Sequence, residues 1–163
     1  MGIYGLGHDV VDVAAFAEQL GMPGSHMREL FSVREVRQAA ARAVLKNDGE
    51  AVHLAARWAG KEAVLKAWCE AVGDGPMPYA IDAVPWAGIE ILDDAHGRPH
   101  VLLRADVERA LRESVPQLTG VDASRAFPRP AGVIDGGAAS ARWHISLTHD
   151  GPVASAVALL ESR

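Results

Sequence analysis

The segment that most constrains this chain is EAVHLAARWAGKEAVLKAWCEAV, residues 50–72. It is the longest helical pattern in the sequence, rich in Ala, Leu and Lys, and Gly73 is placed to end it. Leu54, Trp58, Leu65 and Trp68 give it a large apolar surface. Its charges must therefore sit at the margin of something buried, either a core or a subunit interface. Arg57 and Lys61 stand four apart and share one face; Glu62 and Lys66 do the same on another. Ordinary surface ion pairs use the same spacing, so this segment alone leaves both readings open. Gly60 costs a helix about 1 kcal/mol against alanine, which close packing could offset.

Short strands and shorter helices surround that segment in the sequence. Residues 3–10 read as a buried strand, and Asp12 is placed to cap a helix through Leu20. Ser32 and Glu35 form a capping-box pattern that opens a helix to about Lys46. Residues 88–104 read as a hairpin turning near Gly97 and Pro99, followed by a short helix from Asp106 to Ser114. Residues 143–161 read as a second hairpin turning at Asp150 and Gly151. Helices segregate from hairpins, which predicts an α+β class. The length suits one domain over residues 1–163. Residues 121–142 are mostly Gly, Ala, Pro and Ser without a period, and are expected to be a flexible insertion.

Several function classes are disfavoured. A net charge of −5 argues against general nucleic-acid binding. No apolar run approaches the ~18 residues of a membrane span, and the N-terminus lacks the pattern of a signal peptide. The one cysteine, Cys69, permits neither an internal disulfide nor a cysteine-based zinc cluster; it is expected to pack within the long helix. These features point to the cytoplasm.

Candidate chemistry begins at YGLGHDVVDV, residues 4–13, where Asp9 interrupts an apolar run. A carboxylate stripped of water is costly unless something pairs with it. Asp9 could lie at a strand end in solvent, or cap the next helix. Alternatively, Asp9 and Glu62 could supply hard oxygens to Mg²⁺ if the first strand lies beside the long helix. Arg57, Lys61 and Lys66 would then hold phosphates. In the last hairpin, alternation puts His144, Ser146 and Thr148 on one face, with Trp143, Ile145 and Leu147 on the other; His149 falls at the turn. Hydroxyls and imidazoles suit phosphate oxygens, although a solvent-facing strand has the same pattern. No Walker-type glycine loop and no serine elbow is present.

Three blocks together resemble the holo-[acyl-carrier-protein] synthase family, the small 4′-phosphopantetheinyl transferases. They are GLGHDVVDV, RWAGKEAVLKAW and WHISLTHDGPVASAVALLE, and HGRPHV resembles that family's central hairpin. The resemblance implies an antiparallel sheet packed with a long central helix. It also implies transfer of the phosphopantetheine arm of coenzyme A to a serine of an apo acyl carrier protein or a fatty-acid synthase carrier domain. By the same resemblance, Asp9 and Glu62 match Mg²⁺ ligands, and Glu62, Asp9 and Lys66 are the catalytic candidates. Arg57, Lys61, Lys66, Gly97, Arg98, Pro99, Ser146, Thr148 and His149 are the coenzyme A candidates. A homotrimer with active sites between subunits is implied as well.

The chain departs from the family where the first helix would grip an acidic carrier: AAFAEQLGM holds no basic residue. Carrier docking is therefore expected on Arg28, Arg34, Arg37 and Arg42, which Glu29 and Glu35 cannot all neutralise. Thr148 stands where a serine is common, and His8 where an apolar or small residue is usual. The rival readings are a Mg²⁺-dependent phosphohydrolase and a non-catalytic module that binds coenzyme A or a carrier.

Overall fold

In the computed structural model, residues 2–118 and 141–162 are described. Strand β1 (Ile3–Asp12) leads into α1 (Val13–Gly21), a 3-10 turn (Met27–Leu30), α2 (Val33–Lys46) and α3 (Glu50–Val72). Further 3-10 turns (Ile81–Ala83, Trp86–Gly88) precede a hairpin of β2 (Ile89–Asp93) and β3 (Pro99–Leu103). Helix α4 (Ala105–Ser114) and another 3-10 turn (Pro116–Leu118) follow, and a hairpin of β4 (Ala141–Asp150) and β5 (Val153–Ser162) ends the described chain. The strands form two antiparallel sheets, one ordered β1-β5-β4 and the other β2-β3. This is the expected α+β architecture with antiparallel sheets around the long helix.

Helix α3 is buried on most of its circumference, from Leu54 through Val72. One side meets β1 and β5, another meets β2 and β4, and α1 and α2 cover its N-terminal half. The approach to β1 is close because Gly5 and Gly7 face the helix. A Cβ on Gly5 would strike the Ala67 carbonyl, and one on Gly7 the Ala63 carbonyl. Gly60 plays the same part on the other side, where an added Cβ would come within 3.1 Å of Ile91 and Leu147. The helix tolerates that glycine because two sheets converge on it.

Local signals set several boundaries. The Asp12 side chain accepts from Ala15 N and caps α1. At α2, Glu35 N donates to Ser32 Oγ and Ser32 N donates to the Glu35 carboxylate, completing the capping box. Asn47 ends that helix in the left-handed region at φ 54°.

Strand β1 continues to Asp12, past its expected end at residue 10, and of the places open to Asp9 the one held is within the strand, opposite Ala156. Three further expectations are corrected. His149 lies in β4 and not at the turn, which falls at Gly151. The insertion expected at 121–142 lies outside the described residues up to 140, but Ala141 and Arg142 already belong to β4. Cys69 is exposed on α3 and does not pack in the core.

Candidate active site

Two groups of functional side chains lie on different sides of α3. The first is built where β1 crosses the helix. Odd-numbered residues of β1 from Gly5 to Val11 face α3, which turns Asp9 toward it. Lys66 Nζ donates to Asp9 Oδ1 at 2.8 Å and to the His8 carbonyl at 3.0 Å. Glu62, one turn earlier on α3, is half-buried. Burial pushes its carboxyl above the usual range, and the nearby Asp9 charge adds to that, while Lys66 opposes it. The structure thus brings Asp9, Glu62 and Lys66 together. Lys66 stands with the carboxylates and does not line the basic pocket described below.

A cleft of about 540 Å³ opens beside these carboxylates, walled by Val11, Phe16, Met27, Leu30 and Trp58. Trp58 is braced edge-on by Phe31 and Trp86. Lys66 and Glu70 also serve the free edge of β1: Glu70 accepts from Leu6 N at 2.6 Å while Lys66 takes the His8 carbonyl. An edge strand's unpaired backbone groups are thereby satisfied by the helix that the strand lies on.

The second group lines a basic pocket of about 160 Å³ between α2, α3, the β2–β3 turn and the end of β4. Arg42, Lys46, His53, Arg57 and His149 line it, with Gly97 and Pro99. Asp93 holds two of its cations, accepting from Arg57 Nη2 at 3.0 Å and from Arg42 Nε at 3.2 Å. Arg42 also donates to the Gly97 carbonyl. Burial pulls the Arg57 pKa down, opposed by the Asp93 and Glu35 charges. Arg57 Nε is buried without a partner among the described residues. Such an orphaned donor beside four further cationic or imidazole groups suits an anion.

Arg57 and Glu62 are five positions apart on α3, which turns them about 140° from each other. The basic pocket and the apolar cleft share no lining residue. Within one chain, the candidates therefore divide into two halves.

Other candidates fall elsewhere. Lys61 is buried at 0% exposure; its Nζ donates to Glu35 Oε2 at 2.9 Å and to the Trp86 and Ile89 carbonyls. All three donors are used, so Lys61 is a core group and not a coenzyme A contact. Burial drags its pKa down against the opposing pull of Glu35. Arg98 pairs with Asp94 and fixes the turn; it does not line the pocket that Gly97 and Pro99 reach. The Arg98 amide, guanidinium and neighbours hold Asp94 well below the usual carboxylate range. Ser146 and Thr148 project from the exposed face of β4, whereas Leu147 and His149 face the pocket. The expected grouping of Ser146, Thr148 and His149 is therefore split across the strand.

Of the four arginines expected to dock the carrier, three are paired within the chain. Arg28 pairs with Glu50, Arg34 with Glu90 and Arg42 with Asp93. Only Arg37 of the four makes no ion pair among the described residues. The partners of the other three come not from Glu29 and Glu35 but from α3 and β2, and Glu35 is buried at 0% exposure. Lys46 and His53 were missed as pocket residues. His53 stands four before Arg57 on the same helix, a spacing that could have suggested it.

Among the described residues no group of three or more His, Cys, Asp or Glu side chains could hold a metal ion. The pair Asp9 and Glu62 nevertheless fits Mg²⁺, which commonly takes one or two carboxylates and completes its shell with phosphates and water. Burial chiefly raises the Glu62 carboxyl, and the neighbouring Asp9 charge, the part that a bound cation would offset, adds to it.

Comparison with known proteins adds the following. Residues 5–155 match the family model described as ACPS: 4′-phosphopantetheinyl transferase superfamily. The chain is 52% identical over 162 residues to a holo-[acyl-carrier-protein] synthase of Bifidobacterium animalis subsp. lactis (strain AD011), covering 98% of each chain. It is 37% identical to the enzyme of that name from Mycobacterium sp. (strain KMS), over 99% of this chain and 98% of the relative. Among solved structures, an ACPS-CoA complex from Chronobacterium ammoniagenes is similar with TM-score 0.77 and 32% identity, covering 100% of this chain and 99% of that one.

Proposed function

The chain belongs to the 4′-phosphopantetheinyl transferase superfamily and is a transferase, and on that premise we propose that it moves the phosphopantetheine arm of coenzyme A onto a serine of an apo acyl carrier protein or carrier domain. The serine Oγ bonds to the phosphorus bearing the pantetheine, the pyrophosphate bond breaks, the serine proton passes to a neighbouring carboxylate or to water, and adenosine 3′,5′-bisphosphate leaves. The observation that carries this reading is the convergence of Asp9, Glu62 and Lys66 where β1 crosses α3.

Asp9 and Glu62 would hold Mg²⁺, which when bound neutralises pyrophosphate charge and polarises the phosphorus. Lys66 keeps Asp9 oriented through its 2.8 Å contact. Arg42, Lys46, Arg57 and His149 offer the anionic part of coenzyme A a positively charged seat. The apolar cleft beside the carboxylates excludes water from one side of the reacting groups. Transfer at phosphorus needs chiefly such positioning and charge stabilisation. The reaction's coenzyme A and carrier substrates fit a cytoplasmic enzyme.

The two half-sites on opposite sides of α3 support a homotrimer in which the carboxylate half of one protomer faces the basic half of the next. A surface suited to that contact exists. Leu6, Val10 and Val157 lie on the outer face of the three-stranded sheet, with Leu6 54% and Val10 55% exposed. A second copy covering them would bury these three apolar side chains together with His8, which lies between them.

The test is to incubate the protein with coenzyme A, Mg²⁺ and an apo acyl carrier protein and weigh the carrier. The expected result is one added phosphopantetheine, requiring the carrier's serine. Turnover of coenzyme A without a carrier would instead indicate a hydrolase, and binding without transfer a non-catalytic module.

A further inference from the structure

His53 is a buried imidazole for which the reaction above has no use. It lies on α3 at 6% exposure, one turn before Arg57, against the basic pocket. Its Nε2 donates to Asp48 Oδ1 at 2.7 Å, from the loop joining α2 to α3. That bond fixes both the ring plane and the nitrogen that carries the proton. Its ring meets His149 edge to face, with centroids 5.5 Å apart and an interplanar angle of 90°. Its backbone carbonyl accepts from Arg57 Nη1 at 3.2 Å. One residue thus touches both an imidazole and a guanidinium of the pocket, and is itself tied down by an acid behind it.

His149 needs such a support. It is exposed, next to last on β4, an edge strand, and beside the turn at Gly151. A side chain in that position samples several rotamers unless something restricts it, and ordering it on binding costs affinity. Fixed through Asp48, the His53 ring gives the His149 ring a stationary edge-to-face partner.

We propose that His53, backed by Asp48, is a positioning residue that holds His149 ready for the anionic end of coenzyme A. This rests on the reading of the basic pocket as part of the coenzyme A site. Although His53 lines the pocket, in this role it acts through the His149 ring it meets edge to face. The plain alternative is a core histidine whose loss loosens α3 and weakens every property of the protein together.

A double-mutant cycle in the full-length protein separates these. Calorimetry of coenzyme A gives Kd, and steady-state transfer to an apo acyl carrier protein gives kcat and both KM values. His53→Gln keeps an amide donor for Asp48 but removes the ring. His149→Ala is expected to raise the coenzyme A Kd about tenfold and His53→Gln about fivefold, with the double variant no worse than His149→Ala alone. In His53→Gln, kcat at saturating coenzyme A and the carrier KM should match wild type. His53→Phe restores a ring and should recover part of the lost affinity if it folds with a wild-type melting temperature. Additive losses in the double variant would overturn the proposal, as would an unchanged Kd in His53→Gln or a fall in kcat that tracks stability. Wild-type protein is the control for the underlying reading. If it modifies the carrier but the cycle is additive, the positioning role alone fails. If it neither binds coenzyme A nor modifies the carrier, the reading of the site fails and this inference with it.

Discussion

Lys61 and Glu35 put two opposite charges into the centre of the molecule, each at 0% exposure. Such a pair survives burial only when its remaining hydrogen-bonding capacity is filled. Here it is filled: Lys61 donates to two carbonyls besides Glu35, and Glu35 accepts from Ser32 N and Ile91 N. The pair therefore ties the start of α2 to α3 and β2. Lys61→Met would leave the Glu35 charge stranded, and is expected to cost about 3–5 kcal/mol in a urea titration. Binding of coenzyme A by the folded fraction should remain near wild type, since Lys61 lies outside the basic pocket. The sequence showed a lysine in a recognisable block but not this role, because its partners stand 25 to 28 positions away. That Asp9 would meet Glu62 was more legible, because an acid that interrupts an apolar strand points to a partner on the helix beside it. Asp9→Asn and Glu62→Gln are each expected to lower kcat by about 100-fold or more, with unchanged melting temperatures. Carrier mass after timed incubation measures this, and near-normal transfer in either folded variant would remove it from the metal-holding pair.

Strand β1 and helix α3 act as one unit, and two glycines allow it. Because a Cβ at Gly7 would overlap the Ala63 carbonyl, backbone must move. Gly7→Ala should therefore destabilise by about 1–3 kcal/mol or more. The same displacement would carry Asp9, two residues on, away from Glu62, so activity should fall further than the loss of stability explains. Comparing kcat well below the melting temperature with the urea midpoint distinguishes the two effects; full activity in a destabilised variant would show that the Asp9 position tolerates the shift. Elements like these were readable where local chemistry dictates them. Asp12 and Ser32 announced helix starts, and the hairpins followed from turn residues flanked by apolar runs. The 3-10 turns at Met27–Leu30 and Trp86–Gly88 had no comparable signature, because tertiary contacts hold them. Trp86, for example, is fixed by the Trp58 ring and by Lys61 at its carbonyl. The arginine pairs of α2 were unreadable for the same reason: Glu50, Glu90 and Asp93 arrive from other elements.

At the scale of the whole molecule, the division of the site is the feature with the most consequence. One chain presents carboxylates on one side of α3 and cations on another, and in the proposed reaction coenzyme A would meet both. If neighbouring protomers complete each other's sites, two inactive proteins can make an active one. Glu62→Gln protomers lack the carboxylate half; protomers carrying Arg42→Ala together with His149→Ala lack the basic half. In a ring, each interface takes one half from each neighbour. After equal amounts are unfolded and refolded together, an interface is intact when its carboxylate half comes from the second protein and its basic half from the first. Random assembly should then give about a quarter of wild-type activity, measured below the coenzyme A KM. Each variant refolded alone should stay near its own baseline. The mass of the assembly is checked by sedimentation in the same samples. Adding Val157→Glu to both proteins places a charge on the outer sheet face, where Val157 is 41% exposed. That change should yield folded monomers and abolish the rescue. Trimers that mix freely yet show no recovered activity would mean that each chain assembles its site alone, with α3 no longer dividing it.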